Sequence, residues 1–121
     1  QSNNIKGLFM LYTIIGLFAL AAILGMALLS YVLKDKETPK GAMIAHGLFA
    51  ASGLVLLLMY VFRNTPGPVE SAVLFVIAAL GGFVLVARDL TGKKIPKWLA
   101  VTHGLLAVAG FLFLLVFTFS K

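Results

Sequence analysis

No cysteine occurs among the 121 residues, which excludes disulfides, iron-sulfur clusters, thiolate zinc sites and covalently attached haem. Charge is scarce as well: 12% of residues are charged and 61% hydrophobic, whereas a soluble domain carries roughly a quarter charged residues. With a mean hydropathy of +1.07, the composition excludes a soluble domain and assigns the chain to a bilayer. Carboxylates number only four, and none falls deep in an apolar run, so an intramembrane proton relay would have only histidines to work with. No nucleophile, base and orienting group stand together, which leaves hydrolytic chemistry without support. The net charge of +6 is spread over short connections rather than along a stripe or tail. That distribution speaks against a nucleic-acid partner and for orientation in a membrane. A short apolar core with a small-residue cleavage site is missing too, so the first span is expected to carry the targeting information itself.

Four long apolar runs are present. After a polar end from Gln1 to Lys6, the chain is uncharged from Gly7 to Leu33, roughly 40 Å of helix against a hydrocarbon core of about 30 Å. Met43 to Phe62, Val69 to Ala87 and Trp98 to Phe119 give three further spans. The connections are 34–40, the breaker-rich turn Arg63-Asn64-Thr65-Pro66-Gly67-Pro68, and 88–97. Thr38-Pro39 suits a helix start because proline is tolerated in the first turn, and Glu70 suits the start of the third helix dipole. Arg88 and Asp89 are expected to cap the third helix.

Basic residues set the topology. Seven (Lys34, Lys36, Lys40, Arg88, Lys93, Lys94, Lys97) lie in the first and third connections, and three (Lys6, Arg63, Lys121) lie at the other end. The bias places 34–40 and 88–97 in the cytoplasm and both termini outside, as in a bacterial inner membrane. Trp98 then lies at the cytoplasmic interface.

A shift of 57 residues superimposes Leu17–Phe62 on Leu74–Phe119 without a gap, with 18 identities in 46 positions. The matches include Pro39/Pro96, Lys40/Lys97, His46/His103, Gly25/Gly82 and Gly53/Gly110, which apolar composition alone would not align. The expected fold is an all-α integral membrane protein: a single four-helix transmembrane bundle formed by a tandem two-helix repeat, repeat 1 about 7–62 and repeat 2 about 69–119. Two spans per unit keep both copies in one orientation, with a pseudo-two-fold axis along the membrane normal.

His46 and His103 are the only histidines, and this axis brings them to one depth. On their helices His46, Ala50, Gly53 and His103, Ala107, Gly110 follow the i, i+4, i+7 spacing of a single face. Ala21/Gly25 and Ala78/Gly82 form small-xxx-small pairs at similar depth, which allow close backbone approach or leave space for a flat ligand. Two neutral imidazoles on opposite sides saturate a haem iron, and a porphyrin needs a slot lined by small apolar groups. The expected site therefore has His46 and His103 as metal ligands, with Gly25, Ala50, Gly53, Gly82, Ala107 and Gly110 lining the slot. Lys40 and Lys97, with Lys36 and Lys93, are available to the propionates.

In this bundle plan and histidine pair the chain resembles the membrane b-type cytochromes, whose haems lie in a four-helix bundle between histidines on different helices. The resemblance implies one bis-histidine haem b per chain and electron transfer, with a quinone or a redox protein as partner beside the membrane lipid. Diheme members need four histidines, so two allow one haem here. Other readings are a proton-linked or small-solute transporter, a bare transition-metal site, and an accessory subunit with structural histidines. Tyr12, Tyr31 and Tyr60 read as interfacial or packed aromatics; Tyr60 with Arg63 could also border a quinone-like ligand. Phe111, Phe113, Phe117 and Phe119 read as lipid-facing or core bulk.

Overall fold

The computed structural model describes residues 2–120; Gln1 and Lys121, assigned above to the polar ends, lie outside the described residues. The helices are α1 (Ser2–Leu33), α2 (Lys40–Arg63), α3 (Val69–Leu90) and α4 (Lys97–Phe119). All four are long and apolar enough to cross a membrane. Each runs past its apolar stretch at one end or both: α1 starts before Gly7, α2 at Lys40, and α3 continues through Arg88 and Asp89. Helical hydrogen bonding does not depend on side-chain polarity and continues until a breaker intervenes. Prolines are those breakers. Pro39, Pro68 and Pro96 occupy the N-cap positions, one residue earlier than the first-turn placement expected for Pro39. Their carbonyls accept from Met43, Ala72 and Ala100, each at 3.1 Å.

α1 and α3 end identically, 57 residues apart. Asp35 (φ 56°) and Gly92 (φ 73°) take left-handed conformations. Their N–H groups donate to the Val32 and Asp89 carbonyls, and the next N–H groups, of Lys36 and Lys93, donate to Tyr31 and Arg88 at 2.9 Å. This double closure satisfies carbonyls that the helix end would otherwise leave open. Of the two residues only Gly92 adopts this conformation without steric cost. Gly92→Ala is therefore expected to lower stability by about 1 kcal/mol, measured as a shifted unfolding midpoint in detergent micelles.

α1 packs mainly on α2 and α3 on α4, and α1 against α4 and α2 against α3 close the square. α1 and α3 thus face each other across one diagonal, and α2 and α4 across the other. At the end bearing the termini, Leu11, Ile14, Leu57 and Leu114 are fully buried. Above them Phe18 and Phe75 meet between the two hairpins, ring centres 3.8 Å apart and planes within 1°. A face-to-face arrangement is not what ring quadrupoles favour, so shape sets it: each ring backs onto a glycine of its own hairpin. A Cβ at Gly53 would stand 3.2 Å from Phe18, and one at Gly110 3.1 Å from Phe75. Ser71 Oγ donates to the Gly110 carbonyl at 2.8 Å and fixes that approach. Large apolar residues such as Phe62, Phe83 and Trp98 remain exposed on the outside of the bundle.

Candidate metal centre

His46 and His103 each lie six residues into their helices, about 9 Å along the axis from Lys40 and Lys97. Neither ring floats in the core. His46 Nδ1 pairs with the Ala21 carbonyl at 2.8 Å and His103 Nδ1 with the Ala78 carbonyl at 2.7 Å. A carbonyl only accepts, so both Nδ1 atoms carry the proton, and in the neutral ring each Nε2 presents a bare lone pair.

The glycine one turn later on α1 and α3 makes this contact sterically open. A Cβ at Gly25 would lie 3.0 Å from His46 Cε1, and one at Gly82 3.1 Å from His103 Cε1. The Ala-xxx-Gly pairs thus let an imidazole reach the carbonyl four residues before the glycine. Gly82→Ala is expected to push the His103 ring aside and weaken its carbonyl bond, at a cost of about 1 kcal/mol. Imidazole 15N NMR checks this: the Nδ1–H signal of His103 should move while that of His46 stays.

Across the bundle the two rings stand 6.1 Å apart, centre to centre, with planes at 75°. Among the described residues no group of three or more His, Asp or Glu comes together, so the protein offers this centre two imidazole donors. Beyond the histidines, toward the charged connections, a cleft of about 590 Å³ opens between Lys36, Thr38, Asp89, Lys93 and Lys94.

Two ion pairs tie the hairpins together at this end. Lys40 Nζ donates to Asp89 at 2.7 Å and to Thr38 Oγ1 at 3.2 Å, while Thr38 Oγ1 donates to the other Asp89 oxygen at 2.6 Å. Lys97 pairs with Asp35 at 3.0 Å. The hydrogen bond from the Lys97 ammonium, with its charge, holds the Asp35 carboxyl below its ordinary value. That pair is solvent-exposed and contributes little to stability.

The residues read from sequence as a slot therefore divide. Gly25 and Gly82 back the histidines, whereas Gly53 and Gly110 back Phe18 and Phe75 one layer further in. Ala50 and Ala107 lie between these layers, half-buried. Lys40 and Lys97 are engaged by carboxylates, and Lys36 and Lys93 line the cleft. Asp89 reaches across to α2 instead of capping its own helix. Arg88 donates from Nε to the Lys94 carbonyl at 2.8 Å. Tyr60 is buried beside Gly7 and in edge contact with Phe117, while Tyr12 stacks on Phe119. Sequence reasoning did not single out the Ala21 and Ala78 carbonyls or the Phe18/Phe75 layer, although all four residues stand among the identities of the 57-residue shift.

Comparison with known protein families, with curated proteins and with solved structures finds no match for this chain.

Proposed function

We propose that the protein is a membrane cytochrome holding one haem b between His46 and His103. One observation carries the reading: both imidazoles are pinned through Nδ1–H to backbone carbonyls, which leaves two Nε2 lone pairs on rings 6.1 Å apart. Histidines that bind metals characteristically donate their other N–H in this way, fixing the tautomer and raising ligand basicity. His46 and His103 would hold the metal through their Nε2 atoms. The donor set argues for a tetrapyrrole in particular, because two imidazoles leave a bare metal under-coordinated and a porphyrin supplies the other four donors.

The chain's own residues then have defined work. Ala21 and Ala78 orient the ligands, Gly25 and Gly82 allow them to approach, and the Phe18/Phe75 layer forms an apolar floor. When bound, the haem would supply one-electron chemistry, with a quinone or a redox protein as the expected partner.

The reading includes a duplicated hairpin with a pseudo-two-fold axis along the membrane normal. Support comes from contacts that recur 57 residues apart: His46–Ala21 with His103–Ala78, Gly53–Phe18 with Gly110–Phe75, and the left-handed turns at Asp35 and Gly92. It also includes the orientation argued from basic residues, with both charged connections cytoplasmic in a bacterial inner membrane. The visible spectrum of protein purified from haem-replete cells tests the function: a bis-imidazole Soret and alpha band is expected, and a colourless protein would overturn it.

A further inference from the structure

The contacts of the bundle divide by kind. Within each hairpin, hydrogen bonds join the two helices: His46 to the Ala21 carbonyl in the first, His103 to the Ala78 carbonyl and Ser71 to the Gly110 carbonyl in the second. Between the hairpins aromatic rings meet instead: Phe18 with Phe75, His46 with His103, Tyr12 with Phe119 and Tyr60 with Phe117. A hydrogen bond weakens steeply when its angle is lost, whereas apolar contact is non-directional and tolerates sliding. Each hairpin is therefore a stiff unit, and the seam between them is soft.

The two ends of that seam differ. At the end bearing the termini, the turn 64–68 joins the hairpins covalently, and Leu11, Ile14, Leu57 and Leu114 fill the space between them. At the charged end the cleft of about 590 Å³, lined from both hairpins, already separates them, and the two ion pairs are the directional ties across it. These pairs are unequal. The Asp35 side chain is 58% exposed and the Asp89 side chain 12%, and Asp89 accepts from both Lys40 and the buried Thr38. The positions 57 residues from Thr38 and Asp89 hold Ile95 and Val32, so the Lys40–Asp89–Thr38 network has no counterpart at matched positions.

We infer that the two hairpins are arms hinged at 64–68 that part at the charged end, and that the Lys40–Asp89–Thr38 network is the latch holding them closed over the histidine pair. In the closed form the imidazoles fill the space beside Gly25 and Gly82 and meet across the bundle. A ligand that takes both Nε2 atoms enters while the arms are apart. The inference concerns access to the histidines and holds for whichever ligand they take.

The chain has no cysteine, so spin labels can be placed one on each hairpin of the full chain, in nanodiscs, with protein from haem-deficient cells. Lys34→Cys/Lys93→Cys reports the charged end, and Phe62→Cys/Val116→Cys the hinge end. Asp89→Asn is expected to add a longer distance population at the charged end and none at the hinge end. It should also speed diethyl pyrocarbonate modification of both histidines about tenfold, the effect of losing one charge-assisted hydrogen bond. Asp35→Asn, at the exposed pair, should change both readings much less. The swap Lys40→Asp/Asp89→Lys should return both toward wild type. Thr38→Val, which removes a hydrogen bond and no charge, should open the same end to a smaller extent, and circular dichroism confirms that helix content is kept. Wild-type distances and modification rates in both Asp89→Asn and Thr38→Val overturn the inference. Equal lengthening at both ends overturns the hinge, and opening that persists in the swap overturns the latch. The visible spectrum of haem-replete protein decides the haem reading separately.

Discussion

His46→Ala and His103→Ala are each expected to abolish the low-spin bis-imidazole spectrum and to weaken haem retention by more than about a hundredfold, the upper range for losing even a supporting partner of a ligand. Each variant leaves one imidazole, so any haem retained would become five-coordinate and high-spin, with a shifted Soret band and a faded alpha band. The two variants should behave alike, because each histidine has the same carbonyl and glycine behind it. The fold should survive both, since the substitutions remove a half-buried ring and leave the Phe18/Phe75 layer and the ion pairs in place. A variant that keeps the wild-type spectrum would exclude its histidine as a ligand. Unequal behaviour would contradict the paired site. Spectra should be recorded beside circular dichroism, so that loss of haem is separated from loss of helix.

Phe75→Ala is expected to be the most destabilising single substitution in the core. In water such a truncation costs about 3–5 kcal/mol, the sum of transfer and cavity terms. In a bilayer the unfolded helices remain in an apolar solvent, so the transfer term largely disappears and packing drives association. The cavity term survives: at about 24 cal/mol per Å³, a void of roughly 100 Å³ costs about 2 kcal/mol. Phe18 and Gly110 both border that void. Reversible unfolding in mixed micelles reads the effect. Benzene should restore part of the loss, as apolar cavities take up such ligands. The Phe18→Ala/Phe75→Ala double variant should lose less than the sum of the single variants, because both enlarge one cavity. A change within about 0.5 kcal/mol of wild type, the range of ordinary surface substitutions, would mean that the rings do not carry the packing at the centre.

Much of the fold was legible in particular residues. Proline and lysine at 39–40 and 96–97, breakers at 63–68 and uninterrupted apolar runs marked four helices, because a bilayer restricts spanning segments to lengths readable from composition. The ends expected at Met43 and Ala87 fall short of the observed Lys40 and Leu90, because side-chain polarity does not stop a helix whereas prolines and left-handed turns do. From sequence, Gly53 and Gly110 are indistinguishable from Gly25 and Gly82 as parts of one slot. All four are small positions on inward faces. Which large side chain fills each space depends on a neighbouring helix, and residue spacing within one helix carries no information about that.

By itself, then, the sequence determined the class of molecule, the number and order of the spans, and the identity of the two candidate ligands. Composition, breakers and the 57-residue correspondence are properties of the chain alone. The tertiary structure decided what depends on side-chain reach between helices. It put each histidine on the carbonyl of an alanine 25 positions earlier and filled the lower slot with two phenylalanine rings. It also turned Asp89 and Asp35 onto the lysines of the opposite hairpin. Hydrogen-bond direction at Nδ1 exists only when a particular carbonyl stands within 3 Å, and that contact turns two helical histidines into a pair with matched free donor atoms.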